Sequence, residues 1–122
     1  MKKQLIITGL CLVLAVPSFA QQRQVGTPDM RAKRQTERMN ESLNLTETQL
    51  TSVSAINLKY AREMQPILQD GERNLKTARQ ARDIMQRKDK EMKAVLDAAQ
   101  YQQYEQMKEA LRKEVKERRG RK

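Results

Sequence analysis

Leu45-Thr46-Glu47-Thr48-Gln49-Leu50 spells out a helix start. With Thr46 as N-cap, its hydroxyl can accept the N–H of Gln49 while the Gln49 side chain reaches back to the N–H of Thr46, which is a capping box. Leu45 and Leu50 then take the two places of a hydrophobic staple, one just before the cap and one in the first turn. Downstream, Leu50, Val53, Ile56 or Asn57, Tyr60, Met64 and Ile67 recur at three and four residues, one stripe of an amphipathic helix. Upstream, Thr27-Pro28-Asp29 offers a cap hydroxyl, a proline where its missing N–H costs nothing, and an acid in the first turn. A short helix is therefore expected from about Pro28 to Leu43. It is basic through Arg31, Lys33, Arg34 and Arg38, with only Met30, Ala32 and Met39 to bury, and Asn44 can end it in the left-handed conformation.

Pro66 interrupts the long stripe, and Asp70-Gly71 supplies a turn signal, so a kink or break is expected between Gln65 and Gly71. A new helix should run from about Glu72 to Lys93, carrying Leu75, Ala78, Ala81 or Arg82, Met85 and Met92. Glu72 with Lys76, Asp83 with Arg87, and Arg87 with Glu91 lace its outer face. Leu96-Asp97-Ala98-Ala99-Gln100-Tyr101 repeats the opening grammar, with Asp97 as cap, Gln100 three residues on, and Leu96 and Tyr101 as staple. Helix signals continue through Tyr104, Met107, Leu111 and Val115. No Gly, Pro or Asn precedes Asp97, so a helix running unbroken through it is the alternative to a break there. The fold class that follows is all-α: a short basic N-terminal helix and three longer amphipathic helices in an extended, hairpin-like arrangement.

Residues 1–20 have the three regions of a secretory signal peptide: Lys2 and Lys3, an apolar stretch from Leu5 to Val16, and the small residues Ser18 and Ala20 before a cleavage point. The apolar stretch is short of the roughly twenty residues that span a bilayer as a helix. Cys11 lacks the small residue expected just before a lipidated cysteine. Cleavage after Ala20 and a periplasmic location are the expectations. Residues 21–27 then form a disordered leader, 28–118 a single helical domain, and 119–122 a basic tail.

The chain carries 25 Lys and Arg against 15 Asp and Glu, a net charge of +10. Removing residues 1–20 takes away Lys2 and Lys3 and no acid, leaving +8. Such a balance would suggest nucleic acid in the cytosol, but export leaves anionic lipid head groups, lipopolysaccharide and acidic proteins as candidate partners. The mature chain has no cysteine, and Tyr60, Tyr101 and Tyr104 are its only aromatics. Its core must be aliphatic and rich in methionine, and so small that dimerisation is expected.

With no histidine and no cysteine after cleavage, the usual general base and zinc ligands are missing, and the glycines at 9, 26, 71 and 120 form no phosphate loop. Neither catalysis nor a cofactor is expected. Met30, Met39, Met64, Met85, Met92 and Met107 could in principle supply thioethers to copper(I), though at these spacings they suit helix stripes better.

The Leu45-Thr46-x-x-Gln49 motif and its second copy Leu96-Asp97-x-x-Gln100, set in a small, basic, methionine-rich helical chain behind a signal peptide, resemble the LTxxQ family of Spy and CpxP-like envelope proteins. The second motif departs from the pattern, with Asp97 in place of Thr. The resemblance covers roughly residues 28 to 118. It implies a cradle-shaped antiparallel homodimer that binds unfolded or partly folded clients without ATP, or a regulatory partner of a membrane stress-sensor kinase; some members bind zinc, so metal handling is a further alternative. Leu45, Thr46, Gln49, Leu96, Asp97 and Gln100 are the motif residues, with a structural role in starting helices. Met64, Ile67, Met85, Met92, Tyr104, Met107 and Leu111 are the candidate surface for clients or for a second copy.

Overall fold

In a computed structural model, residues 26–121 form four helices: α1 (Pro28–Leu43), α2 (Glu47–Asp70), α3 (Leu75–Val95) and α4 (Ala98–Gly120). The expected signal peptide, most of the leader and Lys122 lie outside these described residues. The chain is all-α, as its periodicity implies. The Thr27 hydroxyl accepts the Met30 N–H at 3.2 Å to start α1, and Asn44 ends it at φ 50°, one of the few non-glycine residues that tolerate that region.

The α2–α3 boundary differs in detail from expectation. Pro66 lies inside α2 without ending it, because losing one backbone hydrogen bond in the last turns is cheaper than abandoning the rest of the helix. Gly71, at φ 62°, ends α2 instead. α3 begins at Leu75 and not at Glu72, since Asn74 and Thr77 form a capping box: the Asn74 Oδ1 accepts the Thr77 N–H at 2.9 Å, and the Thr77 hydroxyl accepts the Asn74 N–H at 3.2 Å. At the next boundary the chain breaks. Leu96 and Asp97 are extended, and α4 starts from the Asp97 cap.

Each helix runs antiparallel to the one before. α2 packs against both α1 and α3, while α4 reaches α1 and α3 through its first half. α1 is eight residues shorter than α2. Its start is tied to the middle of α2, where the Arg31 guanidinium donates to the carbonyls of Gly26 and Ala61 and Asp29 faces Arg62. Beyond that point, among the described residues, α2 packs on α3 alone, held by Arg87 to Glu63 at 2.7 Å. The core is correspondingly lopsided. Met39, Leu43, Val53, Met92, Leu96 and Tyr104 form one buried cluster beneath the α1–α2 and α3–α4 corners, with Leu45, Ile56, Val95, Tyr101 and Met107 packed around it.

A polar layer crosses the bundle beyond that cluster. Thr36, buried in α1, donates to the Ala32 carbonyl and accepts from the Asn57 side-chain amide at 2.9 Å. Lys88 of α3 is only 5% exposed, and its Nζ donates to Gln35 Oε1 at 2.8 Å. Desolvation pushes this amine down to about 8, with Asp89 opposing the shift and Lys108 adding to it. A buried ammonium held by a neutral amide is a net cost, so Lys88→Met should stabilise the fold by about 1–3 kcal/mol in urea denaturation.

The pH dependence has a definite sign. Below pH 8, Lys88 is charged in both the folded and the unfolded chain, and its penalty is constant. Between pH 8 and 10 the unfolded chain holds the proton that the folded chain has released, so stability should rise. Above the ordinary tyrosine value of 10 it should fall again, because burial, with Asp89 alongside, raises the Tyr104 hydroxyl and only the folded chain keeps that proton. Urea midpoints measured from pH 7 to 11 should trace this rise and fall, and the Lys88→Met variant should lose the rise.

Candidate functional site

The two capping boxes form as the sequence implies. At the first, the Thr46 hydroxyl accepts the Gln49 N–H at 3.2 Å and Gln49 Oε1 accepts the Thr46 N–H at 3.0 Å. At the second, Asp97 Oδ1 accepts the Gln100 N–H at 2.7 Å and Gln100 Oε1 accepts the Asp97 N–H at 3.0 Å. Leu96 is buried and Leu45 and Tyr101 pack on the core, so these staple residues also anchor the corners.

The corners lie side by side and exchange their glutamines. Gln49 Nε2 donates to Gln100 Oε1 at 2.7 Å, and Gln100 Nε2 donates to Gln49 Oε1 at 3.1 Å. The second N–H of Gln49 reaches the carbonyl of Val95, the last residue of α3, and that of Gln100 reaches the carbonyl of Leu43, the last residue of α1, each at 3.2 Å. Each carboxamide thus donates twice and accepts twice. It caps the start of its own helix and the end of the helix that enters the opposite corner. Sequence reasoning found the local half of this role and missed the exchange. The available signal was Gln at both boxes: a glutamate would serve as a cap acceptor equally well, but it has no N–H to give.

The candidate surface residues divide into two groups. Met92 and Tyr104 are 0% and 2% exposed, which moves them from the expected surface into the core. The Tyr104 hydroxyl donates to Asp89 Oδ1 at 2.9 Å, and Lys108 donates to Asp89 Oδ2 at 2.7 Å, fixing the first half of α4 on α3. Met64, Ile67, Met85 and Met107 are half-buried and Leu111 is half-exposed. Met107 and Leu111 line a groove of about 290 Å³ between α1 and α4, floored by Met39 and Tyr104 and edged by Arg38 and Lys108. Met85 lines a second, of about 390 Å³, where Arg112 of α4 stands across from Ala81 and Arg82 of α3. Ile67 lines a third, of about 630 Å³, at the α2–α3 turn beside Arg119. Leu68, Leu75 and Val115 belong with these exposed positions although the stripes alone did not mark them as surface.

From residue 109 to residue 121 every side chain is exposed, so the second half of α4 stands off the bundle and leaves the grooves open. Among the described residues no group of three or more acidic, histidine or cysteine side chains is placed to hold a metal ion, and no helix is long and apolar enough to cross a membrane.

The glutamine exchange separates two substitutions that a simple cap would not. Thr46→Ala removes one cap acceptor and should cost about 1 kcal/mol. Gln49→Glu keeps the box but turns two donors into acceptors facing a carbonyl and an amide oxygen, and should cost more, about 2–3 kcal/mol. Urea denaturation of both variants will rank them, and an equal cost would mean that the exchange adds nothing.

No curated protein and no solved structure matches the chain. A family model described as a domain of unknown function, DUF4890, matches residues 19–120. That span takes in all four helices and both glutamine corners, and the chain belongs to this family.

Proposed function

We propose that this protein is an ATP-independent chaperone or stress adaptor of the bacterial envelope, exported by cleavage after Ala20, which holds unfolded or partly folded proteins. The observation that carries the reading is the open set of grooves along α4, in which Met107, Leu111 and Met85 present flexible apolar surface beside Arg38, Lys108 and Arg112. Methionine adapts to many shapes, and a surface that must accept unrelated sequences benefits from that. Basic side chains at the edge speed encounter with acidic chains, after which apolar contact slows release. The LTxxQ resemblance points the same way. The small core adds a reason for a homodimer, since a second copy would cover apolar surface that one chain leaves open.

The test is aggregation of several unrelated unfolding proteins in the presence of the chain from Gln21 onward. Stoichiometric amounts should suppress light scattering without ATP, and Leu111→Asn should weaken the effect several-fold. Failure with every client would overturn the reading. Capture of a single tight partner, such as a membrane sensor domain, with no general suppression would favour the regulatory role instead. Sedimentation velocity of the same material should give twice the monomer mass.

A further inference from the structure

The charge of the molecule is divided between its two ends. At the glutamine corners, residues 40–50 hold Glu41 and Glu47 and no cation, and residues 93–106 hold Lys93 against Asp97 and Glu105. At the opposite end, residues 70–79 and 112–121 together hold nine Lys or Arg against four Asp or Glu, all of them exposed. These two segments face each other across an open groove, because Arg119 of α4 lines the same cavity as Ile67, Leu68, Gly71 and Asn74. Arg112, Lys116 and Arg119 follow one another at four and three residues along one side of α4, like charges whose repulsion weakens a helix in water. The same end carries exposed apolar side chains: Leu75 is 67% exposed, Val115 41% and Leu68 40%.

We propose that this basic, leucine-bearing end docks peripherally on an anionic lipid bilayer. The chemistry of a bilayer interface fits both features together, since acidic head groups answer the Lys and Arg excess while leucines enter the acyl boundary. The arrangement of the leucines also favours lipid. Leu68 and Leu75 flank the α2–α3 turn, whereas Val115 sits on α4; a bilayer takes such separated apolar anchors without matching their shape, and long basic side chains lay their stems along it. A second copy docked end to end would bring the two positive ends together. The contact is peripheral because no described helix is long and apolar enough to span.

Co-sedimentation with vesicles tests this, using the chain from Gln21 onward, which contains the whole described fold. Binding to vesicles of phosphatidylglycerol mixed with phosphatidylcholine should be at least roughly tenfold tighter than to phosphatidylcholine alone, and should be lost as ionic strength approaches about 1 M. Leu75→Asn, at a site too exposed to affect folding, should weaken binding several-fold, and Arg112→Glu with Arg119→Glu should abolish it while circular dichroism stays helical. Equal affinity for neutral vesicles, no binding to either, or indifference to these substitutions would overturn the proposal. So would a sedimentation result in which Leu75→Asn splits a dimer and leaves vesicle binding unchanged, which would assign this end to a second copy. The chaperone assay contains no lipid, so the two ideas stand or fall separately.

Discussion

The fold depends on two carboxamides that face each other. Gln49 and Gln100 trade hydrogen bonds at 2.7 and 3.1 Å while each completes a capping box on its own helix and covers a carbonyl at the end of α1 or α3. Four helix ends converge there, each bringing unpaired backbone groups. Packing them together would be costly if those groups were left without partners. The glutamine pair supplies partners in one small volume, and Met39, Leu43, Val53, Met92, Leu96 and Tyr104 can then close beneath it.

This anchoring explains why the molecule is compact at one end and open at the other. α1 begins level with the middle of α2, and the hold of α4 on the bundle ends with Tyr104 and Lys108 meeting Asp89. Beyond those contacts the only close packing among the described residues is α2 on α3. The apolar residues of that region are too few to draw α4 inward, and the cations along α4 favour water. A cluster of hydrogen bonds at one pole thus permits surface at the other that a larger core would have covered.

Much of the architecture was legible because capping is local chemistry. Thr27, Asn44, Thr46 and Asp97 stand where their side chains or backbone preferences require, and the boundaries of α1 follow from them. The end of α2 at Gly71 was legible from Asp70-Gly71, but the start of α3 was placed three residues early because Asn74 with Thr77 is a less familiar box than Ser or Thr with Gln. Non-local facts were harder to read. Periodicity names a face without saying whether a neighbour covers it, so Met92 and Tyr104 looked the same as Met107 and Leu111. Lys88 gave no sign of burial, since a lysine among Arg87, Asp89 and Lys90 reads as solvated, and only the placement of Gln35 on α1 reveals its acceptor.

The exchange also bears on what the motif is for. A glutamate would complete either capping box equally well, so helix initiation alone does not require glutamine at both positions. The donors of Gln49 and Gln100 go to the opposite corner, which requires an amide at both places at once. Asp97 in place of a second threonine leaves that requirement untouched, because its carboxylate takes over only the local bond to the Gln100 N–H. The paired glutamines are therefore the part of the repeat that specifies tertiary structure. The residue at the cap position needs only an oxygen acceptor, while the basic end, which lies away from the corners, can vary in sequence without disturbing them.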